Sequence, residues 1–323
     1  MKYIVIDTLG SDQGPKTILD GVKEVLDSNF EIGFVIVGDP KLIEEYQFPK
    51  DRIKVVEAYE TVTNMDNPVE AFYKKDKVSI FLALKEASEN EDTLGVISSG
   101  STGALMVGSI KYLLDDKKTR PALAAILPTI DKGACTCVVD TGASIDVGPH
   151  QLVEFAHLGS DFMRKLYKIE SPKVGLLSVG SEPTKGNKLV KETYPLLEQE
   201  EGINFVGNIE GSKALDHLCD VLVCDGFAGN QVLKVTQGVA SNLIKEMVKY
   251  GYTSGKVDEA KALAGHLMSL YDFESSGAAI MLGVKKTVLK CRGSSGATAI
   301  IAASKILINL NDNRTYFETV FDD

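Results

Sequence analysis

Short apolar, β-branched runs recur along the chain, each ended by a Gly, Ser or Asp loop and followed by a segment whose apolar positions repeat at helical spacing. The alternation starts with YIVIDTLGSDQGP and KTILDGVKEVL, GFVIVGDP and KLIEEY, and LGVISSGSTG and ALMVGSIKYLL. It returns in CVVDTGAS with HQLVEFAHLGSDFMRKLY, VGLLSVGSEPTKGN with KLVKETYPLLEQE, and DVLVCDGFAGN with QVLKVTQGVASNLIKEMV. Strands apolar at consecutive positions are buried on both faces, the condition of a parallel sheet covered by helices. Six such units predict an α/β fold: a mostly parallel, doubly wound sheet with helices on both faces, a Rossmann-like three-layer architecture. No Pro/Gly/Ser linker divides the chain, so residues 1–323 are expected to form a single domain.

Residues 241–275 break the rhythm, with helical spacing interrupted at Gly251 and Gly255. They read as a helical projection. Its apolar side chains, among them Met247, Tyr250, Tyr252, Leu267, Met268, Leu270, Tyr271 and Phe273, suit the chain's own core, a second subunit or a membrane surface.

Composition narrows the function. A net charge of -10 argues against nucleic acid as a partner, since phosphate neutralisation calls for a basic face. The longest apolar stretches, such as ALAAILPTI, fall short of the roughly 20 residues that cross a membrane. MKYIVID brings an aspartate too early for a secretory signal, and a cytoplasmic location is expected. The 5 cysteines form no CxxC pair and read as reduced, buried thiols; the 4 histidines include no HExxH, and no metal site is expected. GxGxxG, GxxxxGK[ST] and GxSxG are all missing, so neither a nucleotide nor any other cofactor is expected, and no acyl-serine nucleophile.

What remains is a set of loops suited to anions. GSTG (100–103), GFAG (226–229) and GSSG (293–296) each lie at a strand end or a helix start, as do DTGAS (140–144) and GSEPTKGN (180–187). Backbone N–H groups at helix starts favour negative charge. GSEPTKGN adds one cation, Lys185, on a short loop rich in turn formers. Asp7, Asp12, Asp140 and Asp225 stand at strand ends, where carboxylates either accept loop N–H groups or gather around Mg²⁺.

In order along the chain, DTLGSDQGP, MDNPVEAF, GSTGALM, RPALAAILPT, DTGASIDVGPHQLVEFAHLGS, VGLLSVGSEPTKGN, NFVGNIEG, DVLVCDGFAGN, GAAIMLGV and RGSSGATAI resemble the motifs of the phosphate acyltransferases of bacterial phospholipid synthesis. That family transfers a fatty acyl group from acyl carrier protein to inorganic phosphate. The resemblance implies a homodimer in the cytoplasm with weak peripheral membrane contact, and it makes Lys185 of KGN and Asn230 of GFxGN the residues tied most directly to activity. Phosphate and substrate would be lined by Asp7, Gly10, Ser11, Asp12, Gly100, Ser101, Thr102, Gly103 and Ser144, and by Gly186, Asn187, Gly226, Gly229, Ser294 and Ser295. Ser101 and Ser144 stand where the family has Asn, while Arg292, Gly296 and Thr298 stand where it has His, Asp and Lys. An acidic carrier protein calls for a local basic patch, for which Lys117, Lys118, Arg120, Lys188 and Lys191 are the candidates. Two rival readings are a metal-dependent, NAD-linked hydroxyacid dehydrogenase of similar architecture and an inactive carrier-protein or membrane scaffold.

Overall fold

The computed structural model describes residues 1–28, 30–63, 65–74, 76–114, 120–131, 134–270 and 278–311. The chain runs β1 (Lys2–Asp7), α1 (Pro15–Asp27), β2 (Ile32–Gly38), α2 (Pro40–Glu45), β3 (Ile53–Glu57), α3 (Pro68–Lys74), α4 (Ser79–Glu89), β4 (Thr93–Ser98) and α5 (Thr102–Tyr112). It continues through β5 (Ala122–Pro128), β6 (Cys135–Val139), α6 (Pro149–Tyr167), β7 (Lys173–Ser178), α7 (Lys188–Gln199), β8 (Asn204–Glu210) and β9 (Val221–Val223). The last elements are α8 (Gly226–Ser254), α9 (Val257–Leu270), β10 (Ala279–Leu282), β11 (Thr287–Lys290) and α10 (Ala297–Asn311). All six strand–loop–helix units read from the pattern are present, and the fold is a mostly parallel, Rossmann-like α/β fold.

The fold divides into two compact units. One comprises Met1–Ala124, His157–Glu170 and Glu274–Asp323; the other comprises Ala125–Ala156 and Ser171–Phe273. Strands of the first unit hydrogen-bond in the order β3-β2-β1-β4-β11-β10-β5. β1, β2, β3, β4 and β11 run parallel, and β10 runs antiparallel to β11 and β5. All seven residues of β2, IGFVIVG, are buried, as a central strand covered on both faces must be. α1 starts with Pro15 at its first position and buries Ile18, Leu19, Val22, Val25 and Leu26, one stripe of an amphipathic helix. α10 packs against α1 and β4.

The second unit has the order β5-β6-β9-β7-β8, with β6, β9, β7 and β8 parallel. Leu127, Val138, Ile209, Cys219, Leu222 and Cys224 form its core, against which Leu177, Ala228 and Val232 pack. The five cysteines are buried and none is in a disulfide. Residues 241–270 of the expected projection are the second half of α8 and all of α9, which pack on each other. Gly251 interrupts nothing: it lies inside α8, where a Cβ would stand 2.4 Å from that of Ala260, so the residue serves close helix contact. Gly255 ends α8 with φ 72, a left-handed cap that glycine adopts without strain.

Candidate functional site

In the first unit, the expected residues cluster where β1 and β4 end. Asp7 is 1% exposed; its Oδ2 accepts from Ser98 Oγ at 2.7 Å and its Oδ1 from the Leu9 N–H at 3.1 Å. Burial raises its pKa, opposed by the hydroxyls of Ser79 and Ser98, the Leu9 N–H and the charge of Lys290. The Gly100 N–H donates in turn to Ser98 Oγ at 3.0 Å. Gly10 and Gly100 meet backbone to backbone. Ser101 caps α5 by accepting from the Ala104 N–H, and Thr102 and Gly103 form the first turn, with Gly103 against Pro68. The RGSSG loop is tied to the loop after β1: the Asp12 N–H donates to the Gly293 carbonyl at 2.8 Å, Ser11 Oγ to the same carbonyl at 3.3 Å, and Gln13 Nε2 to the Ser294 carbonyl at 2.7 Å. Ser295 is buried and its Oγ accepts from the Arg292 N–H.

In the second unit, DTGAS folds around its own carboxylate. Asp140 is fully buried, accepting from the N–H groups of Gly142 (3.2 Å) and Ala143 (3.1 Å) at Oδ1 and from that of Ser144 (2.6 Å) at Oδ2. The anion this nest of N–H groups suits is thus part of the chain. GFAG then lays the first turn of α8 on the nest. The Gly226 N–H donates to the Ser144 carbonyl at 2.8 Å, and a Cβ on Gly229 would stand 1.9 Å from the Asp140 carbonyl oxygen. Asp225 caps α8 by accepting from the Ala228 N–H at 2.8 Å. Asn230 follows directly, its Cβ beside Gly142, and its amide has no hydrogen-bond partner among the described residues. Ser144 Oγ is likewise buried without a partner among them.

The Lys185 loop is held from β8. The Glu182 carbonyl accepts both the Lys185 N–H (3.0 Å) and Asn208 Nδ2 (2.8 Å). Gly186 has φ 112, and a Cβ there would stand 2.5 Å from Val190 Cγ1, so only glycine fits. Asn187 caps α7 through its Oδ1, which accepts from the Val190 N–H at 2.9 Å. Lys185 itself is exposed, makes no ion pair among the described residues, and runs its stem over Gly180. Gly186 and Asn187 on one side and Asp225 and Ala228 on the other line a single cavity of about 300 Å³. The cavity therefore joins the loop of Lys185 to the helix start that carries Asn230. The buried thiol of Cys224 also lines it; burial first, then the charges of Asp140 and Asp225, push its pKa well above the ordinary thiol value, which suppresses nucleophilic character.

Sequence reasoning assigned no role to Asn208 or Ser178. Asn208 lay in the quoted NFVGNIEG, and its signal was an amide in the interior of a strand, between Gly207 and Ile209. Of the basic patch, Lys188 and Lys191 are exposed on α7, Lys188 lying 3.8 Å from Glu192; Arg120 is exposed; Lys117 and Lys118 lie outside the described residues. Among the described residues no His, Cys, Asp and Glu side chains gather into a group able to hold a metal ion. No helix among them is long and apolar enough to cross a membrane.

A family profile described as "Fatty acid synthesis protein" matches residues 2–315. The chain is 38% identical over 315 residues to a phosphate acyltransferase from Halothermothrix orenii, covering 94% of this chain and 93% of that one. It is 37% identical over 311 residues to a phosphate acyltransferase from Bacillus subtilis, covering 93% and 91%. Among solved structures it is similar to a phosphotransacetylase from Streptococcus pyogenes, with a TM-score of 0.62 at 14% identity over 97% of this chain and 94% of that one. It is also similar to a 4-hydroxythreonine-4-phosphate dehydrogenase from Klebsiella pneumoniae, with a TM-score of 0.54 at 12% identity, covering 96% and 99%; both likenesses concern the fold alone.

Proposed function

The chain belongs to the fatty acid synthesis protein family of phosphate acyltransferases, and from that premise we propose that it transfers a fatty acyl group from acyl carrier protein to inorganic phosphate, making an acyl phosphate for phospholipid synthesis. That it is an acyltransferase follows from the family; the donor, the product's use and the residues are our reading. One observation carries it: a single cavity is lined on one side by Gly186 and Asn187, next to the exposed Lys185, and on the other by Asp225 and Ala228, at the helix start that carries Asn230.

An oxygen of phosphate attacks the thioester carbonyl carbon. The tetrahedral oxyanion collapses, the C–S bond breaks, and the thiolate of the carrier's pantetheine arm leaves and takes a proton from solvent. Phosphate is already anionic at neutral pH, so the site needs neither a general base nor an enzyme nucleophile; it orients the reactants and stabilises developing charge. Lys185 supplies the positive charge and Asn230 a directed amide N–H. Ser144 of the DTGAS loop, whose buried hydroxyl has no partner among the described residues, adds a donor. Gly186 keeps the backbone close, while Asp7, Asn187, Gly226 and Gly229 shape the loops rather than touch phosphate. Gly10, Ser11, Asp12, Gly100, Ser101, Thr102, Gly103, Ser294 and Ser295 are retained as phosphate- or substrate-contacting candidates.

The same reading includes a homodimer and a cytoplasmic enzyme with weak peripheral membrane contact. It is supported by Val235, Val239 and Leu243, spaced one helical turn apart on α8 and 60%, 53% and 62% exposed. The decisive assay incubates the protein with long-chain acyl carrier protein, with and without phosphate. Acyl phosphate and free thiol should form only with phosphate. Phosphate-independent thiol release, or none at all, rejects the reading.

Docking of the acidic carrier is expected at the start of α7, where Lys188 and Lys191 stand exposed. Reversing both charges, Lys188→Glu with Lys191→Glu, should raise the KM for the carrier and flatten its dependence on salt, leaving kcat near wild type. The ion pair lost with Glu192 is exposed and contributes little to stability. Unchanged KM at low salt removes this helix from the docking surface.

A further inference from the structure

Beyond its rim, the cavity beside Lys185 is apolar. Its walls are Leu152 of α6, Leu176 of β7, Leu189 and Val190 of α7, and Ala228 and Val232 of α8. It opens at the carboxyl ends of β7 and β9, where open α/β sheets hold their ligands. At about 300 Å³ it is at the lower end of the range for small-ligand pockets, about 300–1,000 Å³. Phosphate has no use for such walls, since a hydrated anion loses by moving into apolar surroundings. A methylene chain gains by the same move.

A second observation stands at the rim. Ser178 lines the cavity, and its Oγ is buried with no hydrogen-bond partner among the described residues. It lies 3.2 Å from where a Cβ on Gly186 would be, against the loop that carries Lys185. A buried hydroxyl left unsatisfied is unfavourable, and a ligand oxygen at the rim would satisfy it. Asn187 and Asp225 at the mouth are engaged as helix caps, so the cavity offers one unsatisfied hydroxyl there and aliphatic surface behind it, the polarity pattern of an acyl thioester.

We propose that this cavity receives the acyl chain of the donor, with the thioester oxygen at Ser178 and the adjoining methylenes between α7 and α8, so that Val232, Ala228 and Leu152 select acyl chains. The proposal rests on the acyl-transfer reading above and adds the residues that set its specificity. The space holds only the part of a long chain nearest the thioester. Selection therefore falls on the carbons that reach past the rim to Ala228 and Val232, beyond the first few, and one methylene misplaced in an apolar pocket costs about 10-fold to 200-fold in kcat/KM.

The test measures kcat/KM for butanoyl, decanoyl and hexadecanoyl acyl carrier protein on the wild-type protein and on Val232→Phe, which puts a larger side chain into the cavity from α8. Butanoyl transfer should stay within about twofold of wild type, while decanoyl and hexadecanoyl transfer should fall by about 10-fold or more. Ala228→Leu should act in the same direction, and it is read by the same criteria if Val232→Phe unfolds at the assay temperature. Equal losses with all three donors, or no loss with any, overturn the proposal while leaving the acyl-transfer reading intact. A folded wild-type protein that turns over none of the donors overturns that reading, and this proposal with it.

Discussion

Lys185→Ala is expected to lower kcat by a factor on the order of 10² to 10³, the loss that follows removal of one strong contact to a developing oxyanion. The thermal unfolding midpoint should hardly move. The side chain is exposed and unpaired among the described residues, and the turn is built by the Lys185 backbone N–H on the Glu182 carbonyl, which any residue supplies. Lys185→Arg should recover little of the rate. A planar guanidinium spreads its charge over a fork of donors, whereas the ammonium is a compact charge on a stem laid over Gly180. Both variants retaining more than about a third of wild-type kcat would put the effect under roughly 1 kcal/mol and remove Lys185 from the chemistry. Lost activity accompanied by a lowered midpoint would make it a structural residue instead.

The largest stability effect is expected at Gly229. A Cβ there would stand 1.9 Å from the backbone carbonyl oxygen of Asp140 and 2.8 Å from Cys224 Sγ, and neither can swing aside: one is main chain, the other a buried core side chain. Gly229→Ala must push α8 off the nest around Asp140, at about 1–3 kcal/mol or more. Gly238 provides the control on the same helix. A Cβ there meets nothing within 4 Å, so Gly238→Ala should stabilise by roughly 0.5–1 kcal/mol through the helix propensity of alanine. Chemical denaturation of the two variants should therefore shift in opposite directions, and equal midpoints would contradict the packing described for α8. Because Asn230 follows Gly229, the destabilised variant should also lose turnover.

The six strand–loop–helix units were legible because parallel strands buried on both faces leave continuous apolar runs, as IGFVIVG does in β2. β3 was not: IKVVE has no buried position and no alternation, mixing half-exposed and exposed residues at a sheet edge. β10 and β11 have four residues each, too few to show a period, and the antiparallel course of β10 is set by partners over a hundred residues away, among them Ala122–Ala124. The loops were legible as places, less so as roles. GFAG and DTGAS read as anion cradles because glycine and free N–H groups look alike in sequence whether the anion is a ligand or, as for Asp140, the chain's own carboxylate. Lys185 stood out as a cation among turn formers, but the cavity beside it did not, since Leu152, Leu176, Leu189 and Val232 read simply as core positions of separate elements.

The order β4-β11-β10 in the first unit has a consequence for synthesis of the chain. β1, β2, β3 and β4 leave the ribosome early and can pair, but the strand that belongs beside β4 is β11, among the last to emerge, and the helix that covers α1 is α10, later still. Throughout translation of the second unit, β4 carries an open hydrogen-bonding edge and α1 lacks the cover that α10 gives it, though it can already pack on β2. This unit can therefore close only after the second unit has been synthesised, and a chain stopped before β11 is expected to keep that edge open to association with other chains.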